Sequence, residues 1–327
     1  MRSCRKVRRG SGCSSQPRTP SNRSIAPLPL SRASASAVGS SPPDTRANAR
    51  REAIARLREA GIESAVLDAD LLLAYVLGIR KEDVYAHPEP VLSADERAGY
   101  EGLIARRARG EPVAYLRGWK EFYGLEFAVD PRVLIPRPET ELLVDETVRR
   151  LAPLDSPLIC DLGTGSGAIA IALAVALPRA RLIATDSSTA ALEVARANAS
   201  RHEVRERIDF RAGDLLAPIH ETLDAVVANL PYLTSAEVDA GGGTSIEFEP
   251  RAALDAGADG LAVIRLAIAQ LLARPAPTDI ALFECGPAQA RSAAAELGAA
   301  PGVRTDIVAD LAGRPRVVVA MRVAARR

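Results

Sequence analysis

Two short segments hold residues whose types and spacing suit chemistry better than packing. The first is Asp161-Leu162-Gly163-Thr164-Gly165-Ser166-Gly167, set between an apolar run and an alanine-rich one. Glycines let a backbone turn tightly and approach a ligand closely, as a nucleotide cradle at the carboxyl end of a strand requires. No Lys-Ser or Lys-Thr follows them, which argues against a P-loop. The spacing of Gly163, Gly165 and Ala168 also satisfies the looser dinucleotide pattern, so the loop by itself leaves an oxidoreductase open. Asp186 follows about 20 residues later, where a carboxylate accepts hydrogen bonds from ribose hydroxyls. Asp214, in Gly213-Asp214-Leu215, is placed to meet an adenine edge. Each acid alone is an ordinary strand-end residue, but the ordered set with the glycine loop points to a nucleoside.

The second segment, Asn229-Leu230-Pro231-Tyr232, follows directly on the apolar run 223–228. An amide nitrogen is a poor nucleophile because its lone pair is delocalised into the carbonyl, so an enzyme has to hold it and aim it. The Asn229 side-chain oxygen and the Leu230 main-chain oxygen can accept the hydrogens of such an NH2 group. Pro231 fixes the turn, and Tyr232 can stack on a flat acceptor. Aiming of this kind lowers a barrier by several kcal/mol, with ~7–11 kcal/mol as the limit of orientation and proximity. No general base is needed before transfer, because the nitrogen loses its proton after the cationic product forms. Read alone, the segment is also an ordinary Asn-Pro type turn.

Elements must position both segments. Helical spacing of Ile54, Leu57 and Ile62, then of Val66, Leu67, Leu71 and Tyr75 before Gly78, predicts a small helical domain over 45–112. Ser93 with Glu96 reads as a capping box opening a helix that runs to Arg109. Over 113–135, Trp119, Phe122, Tyr123 and Phe127 with glycines at 118 and 124 predict a β-hairpin within a linker over 113–140, with Trp119 a packing anchor. From 141 to 327 strands (158–162, 181–185, 208–211, 223–228, 279–284) alternate with helices (168–177, 188–201, 261–273). Repeated β-α-β units imply an α/β fold with a doubly wound parallel sheet. The runs 303–308 and 316–323 around Gly313 predict a terminal hairpin that adds one antiparallel strand.

The order of glycine loop, Asp186, Asp214 and Asn229-Leu230-Pro231-Tyr232 resembles that of class I methyltransferases acting on planar nitrogens. Within them, residues 45–323 resemble the HemK-type release factor glutamine methyltransferases. The more specific marks are Leu134-Ile135-Pro136-Arg137-Pro138-Glu139-Thr140-Glu141 and Arg109-Gly110-Glu111-Pro112-Val113-Ala114-Tyr115. Two more are Phe248-Glu249-Pro250-Arg251-Ala252-Ala253-Leu254 and Asp310-Leu311-Ala312-Gly313-Arg314-Pro315-Arg316-Val317-Val318. The resemblance implies a Rossmann-like, mostly parallel seven-stranded sheet and S-adenosylmethionine as cofactor. It implies methyl transfer to the side-chain amide of the glutamine in the Gly-Gly-Gln segment of peptide chain release factors. By it, Gly163, Thr164, Gly165, Ser166, Gly167, Asp186, Asp214, Leu215 and Asn229 would hold the cofactor. Asn229, Leu230, Pro231 and Tyr232 would hold the glutamine, with Asn229, Pro231 and Tyr232 serving catalysis, and the helical domain would help receive the release factor. The family pattern is Asn-Pro-Pro-Tyr, and here Leu230 replaces the first proline. Its carbonyl survives, but a locked φ is lost, which puts the rigidity of the turn in question. Leu215 stands where some relatives carry an aromatic residue and still offers adenine an apolar wall. Glu247 and Glu249 come near the substrate turn only by this resemblance and receive no catalytic role.

Composition bounds the rest. The 327 residues, 47% hydrophobic and 25% charged, suit a soluble globular chain of two domains or of one large domain with an extension. No apolar run nears the roughly 18 residues that span a bilayer. Cys4, Cys13, Cys160 and Cys285 form no CxxC pair, and His87, His202 and His220 lack metal-ligand spacing, so no metal site is expected. Cys160 and Cys285 read as buried reduced thiols, and the histidines as surface residues. The first 43 residues carry eight Arg or Lys and no Asp or Glu, which leaves 34 basic against 41 acidic side chains elsewhere. Rich in Ser, Pro and Arg, residues 1–44 are expected to be disordered, and the same composition fits an organellar transit peptide. The cytoplasm is the expected location, with an organelle matrix as the alternative. A negative body suits a phosphate backbone poorly, which places a nucleic-acid adenine or guanine amino-methyltransferase behind the release factor reading. A glutamine methyltransferase of a ribosomal protein is a nearer alternative, and an inactive cofactor-binding interaction protein, suggested by Leu230, a further one. A monomer with no membrane or direct nucleic-acid contact is expected.

Overall fold

The computed structural model describes residues 44–241, 245–276 and 278–322. The extension expected over 1–44 lies outside the described residues except for Asp44. Five helices come first: α1 (Arg46–Glu59), α2 (Ala65–Leu77), α3 (Lys81–Ala86), α4 (Ala94–Arg107) and α5 (Val113–Arg117). Their boundaries follow from local chemistry. The Thr45 hydroxyl accepts from the Asn48 N–H at 3.3 Å at the start of α1, and Gly78 ends α2 in the left-handed region with φ 62°. Ser93 and Glu96 form the expected reciprocal capping box of α4, which ends two residues before Arg109. Leu57, Leu72, Leu73, Tyr100 and Leu116 pack into one core here, each worth about 1.5–3 kcal/mol of burial.

The segment 113–117 corrects the expectation of a hairpin over 113–135. Pro112 presets the entry and Gly118, with φ 77°, stops a helix of a single turn and a half, too short to show a periodicity. The hairpin is confined to β1 (Trp119–Phe122) and β2 (Leu125–Ala128). Its tip, Tyr123-Gly124, has φ of 53° and 70°, the pair of positive values that a tight two-residue turn needs.

A 3-10 turn (Pro138–Thr140) leads into α6 (Glu141–Leu151). There follow β3 (Leu158–Leu162), α7 (Ala168–Ala176), β4 (Arg181–Asp186), α8 (Thr189–Arg201), β5 (Ile208–Ala212) and β6 (Leu223–Asn229). The chain continues through α9 (Ser235–Ala240), α10 (Ala262–Ala273), β7 (Thr278–Glu284), α11 (Ala290–Gly298), β8 (Val303–Ala309) and β9 (Pro315–Arg322). The sheet has seven strands in the order β5-β4-β3-β6-β7-β9-β8, and β9 alone runs against its neighbours. Both the doubly wound sheet and the single antiparallel strand match the sequence expectation. One face packs on α6, α7, α8 and the hairpin aromatics Phe122 and Phe127, and the other on α10 and α11. Being covered on both sides explains why β3 and β6 read as continuous apolar runs instead of alternating ones. Among the described residues no helix is long and apolar enough to cross a membrane.

Candidate active site

Strand order reverses between β3 and β6, and in open α/β sheets the carboxyl ends at such a reversal flank the ligand crevice. Leu162 pairs with Ala228, so Gly163 and Asn229 leave the sheet side by side. Gly163, Gly165 and Gly167 have φ of 65°, 53° and 81°, where any side chain is strained. A side chain at Gly167 would also begin 3.0 Å from Ile171 and 3.2 Å from Ala195. Asp161, fully buried beneath the loop, accepts through Oδ2 from the Thr164 hydroxyl at 2.7 Å and the Ala170 N–H at 3.2 Å. Its Oδ1 has no partner among the described residues, and burial pushes its pKa up to about 7. The Asp186 carboxylate accepts from the Gly165 N–H at 2.9 Å and the Ser188 N–H at 2.8 Å, bracing the loop from the next strand. Asn198, buried on α8, donates to the Ser166 carbonyl at 2.9 Å and bonds both the N–H and the C=O of Ala128, tying the loop to the hairpin.

The exposed Asp214 and buried Leu215 sit just beyond β5. Leu215 has φ 50°, a left-handed conformation uncommon outside glycine. Gln270 of α10 straps this turn, accepting from the Leu216 N–H at 2.8 Å and donating to Asp214 Oδ2 at 3.3 Å.

The Asn229 carboxamide donates through Nδ2 to Thr140 Oγ1 at 3.0 Å, which turns its oxygen away from Thr140. Leu230 is buried, and its Cδ2 lies 3.1 Å from where a side chain at Gly163 would begin. Packing of Leu230 onto the glycine loop therefore holds the turn whose rigidity its presence had put in question. Tyr232 is half-buried with its hydroxyl 3.5 Å from Glu284 Oε1, and burial pushes its pKa up to about 12, so it stays protonated. Glu284 ends β7 directly opposite Asn229 in the sheet register. The Asn229 turn is thus close to the glycine loop on one side and to a buried carboxyl on the other.

Family models match two parts of the chain: the PrmC N-terminal domain over residues 48–118 and the Methyltransferase small domain over residues 139–265. The chain is also 40% identical over 274 residues to the release factor glutamine methyltransferase of Moorella thermoacetica, covering 83% of this chain and 96% of that protein. It belongs to the release factor glutamine methyltransferase family. The family's Bradyrhizobium diazoefficiens member is 40% identical over 279 residues, 84% of this chain and 94% of that one. The Koribacter versatilis member is 39% identical over 270 residues, 82% and 95% of the two chains. Among solved structures, the hMettl16 catalytic domain in complex with MAT2A 3'UTR hairpin 6 has a TM-score of 0.53 at 18% identity, over 68% of this chain and 83% of that one, a likeness of fold.

In this family member two of the sequence marks meet in space. Glu249, buried, accepts from the Ile135 N–H at 3.0 Å and from Arg137 Nη2 at 2.5 Å, pinning the 134–141 segment beside the crevice. Glu249 is buried although Arg137 is a third exposed, so losing these donors would leave its side chain without compensation in the interior, and Glu249 has a structural task. Two histidine and aromatic expectations need correction. His202 is half-buried, bonded through Nε2 to the Glu126 main-chain oxygen at 2.8 Å and packed on Phe127, and is no surface residue. Trp119 belongs to no core cluster, and it lines an open cleft with the Arg117 guanidinium stacked 3.7 Å from its ring centre.

Sequence reasoning also missed Thr140, Asn198, Gln270, Glu284 and two glycines behind Tyr232. Gly260 has φ 73°, and a side chain there would collide with the Tyr232 main-chain oxygen; one at Gly286 would begin 3.4 Å from Tyr232 Cδ2. Gly260→Ala is therefore expected to lose about 2–4 kcal/mol by urea denaturation, from backbone strain plus overpacking. Turnover should fall more than cofactor affinity, because the strain is delivered to Tyr232.

Burial raises the carboxyls of Asp161 and Glu284 to about 7 each, from ordinary values of 3.8 and 4.5. Between those values the folded state binds more protons than the unfolded state, so stability is highest on the acid side and falls as pH rises toward about 7. Asp186 shifts in the same direction. Carboxyls held low by ion pairs, such as Glu221 at about 2 beside Arg211, lose their contribution only at more acid pH. Cofactor-free protein is expected to resist urea better at about pH 5.5 than at about pH 8 by a few kcal/mol. The Asp161→Asn, Glu284→Gln double variant should flatten that slope. A wild type more stable at the alkaline end would contradict the assignment.

Proposed function

We propose that this chain transfers a methyl group from S-adenosylmethionine to the side-chain amide nitrogen of the glutamine in the Gly-Gly-Gln segment of peptide chain release factors. The observation that carries the reading is the Asn229 carboxamide, whose NH2 donates to Thr140. That leaves its oxygen free of Thr140, as an acceptor on a turn that leaves the sheet next to the glycine loop. Together with the Leu230 carbonyl it takes both hydrogens of a substrate NH2 group and points the nitrogen's remaining face toward the cofactor side of the crevice.

The residues present fit the cofactor. Its cationic, ribose-bearing body suits a crevice bordered by Asp186 and Asp214, and the unpartnered oxygen of Asp161, buried beneath the glycine loop, marks a place for a donor or a positive charge. Gly163 to Gly167 would admit it by close backbone approach, Asp186 would accept from its ribose, and the 214–215 turn would border its adenine. When bound, the cofactor supplies an electrophilic methyl group on a sulfonium. Tyr232, protonated and held against Gly286, offers a flat face to the glutamine amide and no base. None is required, since the proton leaves after the nitrogen has become cationic. The helical domain would receive the body of the release factor.

The test is purified protein with methyl-labelled S-adenosylmethionine and a release factor, its Gln→Ala variant, ribosomal proteins and duplex DNA. Label in the release factor and none in the variant supports the reading. Label in DNA or a ribosomal protein and none in the release factor overturns it.

A further inference from the structure

We propose that Thr140 and Glu284 are positioning residues that fix which end of the Asn229 carboxamide faces the substrate. The inference rests on the amide-methylation reading, because only an NH2 acceptor requires the oxygen end. The two orientations of a carboxamide have nearly the same shape, so packing alone does not choose between them. Hydrogen-bond polarity does. Thr140, in the turn before α6, is buried, and so is Glu284 at the end of β7. Thr140 has one hydroxyl proton; with its oxygen accepting from the Asn229 NH2, that proton is left for the adjacent Glu284 carboxyl, whose buried Oε2 has no other partner among the described residues. The Thr140 oxygen then has only lone pairs for Asn229, which must present Nδ2, as observed at 3.0 Å. The carboxamide oxygen is thereby forced to the other side.

Glu284 is the natural anchor of this chain of bonds. It is 1% exposed, and its Oε2 has no partner among the described residues. The charged or titratable groups facing it are Tyr232 from the turn after β6, Glu139 from the turn that carries Thr140, and Arg316 from β9. As a carboxylate it only accepts, so the polarity is set. As a neutral acid it can donate to Thr140, whose proton then turns to Asn229 and draws the carboxamide oxygen inward. Burial pushes this carboxyl up to about 7, so the reversal falls within an accessible range.

The experiment compares wild type, Thr140→Val, Thr140→Ser and Glu284→Gln in two readouts. In cofactor-free 15N-labelled protein, the Asn229 side-chain NH2 should exchange with solvent about tenfold faster in Thr140→Val, with Thr140→Ser restoring protection. In the transfer assay, Thr140→Val should lower kcat about 10- to 100-fold with little change in cofactor Kd, and Thr140→Ser should recover most of it. Wild-type kcat should fall on acidification through about 7, and Glu284→Gln should lack that limb. Unaltered NH2 exchange in folded Thr140→Val, or an intact acid limb in Glu284→Gln, overturns the relay. If wild type labels no release factor while the exchange results hold, the substrate reading fails and the relay stands.

Discussion

Asn229→Ala is expected to lower kcat for glutamine methylation by at least about a hundredfold while leaving cofactor Kd within a fewfold of wild type. The side chain makes one observed bond, from its NH2 to Thr140, and its oxygen takes no part in that bond. Removing it deletes an acceptor that holds the substrate nitrogen in line, and misdirected reactive groups lose a large part of the orientation advantage. Single preorganised hydrogen-bonding groups in active sites are worth about 10²–10³ in kcat. Cofactor binding should survive because Asp161, Asp186 and the glycine loop do not bond Asn229; their partners are Thr164, Ala170, Gly165 and Ser188. Single-turnover rates with saturating release factor, beside calorimetric cofactor titration, separate the two. Near-normal turnover would remove Asn229 from the mechanism.

Asp186→Ala should do the reverse, weakening cofactor affinity by about a hundredfold with a smaller effect on kcat at saturation. Two backbone N–H groups, those of Gly165 and Ser188, lose their acceptor at once. Charge-assisted bonds of this kind are worth about 1.5–3 kcal/mol each. The Gly165 bond is the one that shapes the cradle, so the loss reaches the glycine loop as well as any ribose contact. Asp186→Asn keeps one acceptor oxygen and should fall between. An unchanged Kd in Asp186→Ala would show that the loop is held by its glycines alone.

Much of this was legible in the sequence because the signals are local. β3 and β6 announce themselves as apolar runs that end in Asp161-Leu162-Gly163 and Asn229, and Ser93 with Glu96 opens α4 with the expected reciprocal bonds. The terminal hairpin around Gly313 follows from one turn glycine between two apolar runs, φ 75° in the structure. What stayed hidden depends on register and packing across long separations. Glu284 and Asn229 are neighbours only because β6 and β7 pair in parallel with those residues opposed. Thr140 reaches Asn229 across 89 positions, and Asn198 reaches Ala128 across 70. No local pattern reports such pairs. α5 was missed because five residues are too few to show a helical period. His202 looked like a surface residue because its burial comes from Phe127 and the Glu126 carbonyl, both on the hairpin.

Glu284 also exposes a tension between stability and function. Its burial favours the neutral acid and penalises the carboxylate, yet the carboxylate is the form that sets the polarity of Thr140 and Asn229. Sites that hold such strain commonly trade some stability for preorganisation. Glu284→Gln should therefore be more stable than wild type at about pH 8 and less active, a combination that a purely structural carboxyl would not give.

The most direct measurement is a crystal structure of the protein with S-adenosylhomocysteine and a release factor bearing the Gly-Gly-Gln segment. Asn229 Oδ1 and the Leu230 carbonyl oxygen are expected within about 2.7–3.2 Å of the glutamine amide nitrogen, with Nδ2 still on Thr140. A glutamine seated elsewhere, or an Asn229 carboxamide rotated so that its NH2 meets the substrate, would contradict the aiming of the amide by fixed oxygen acceptors.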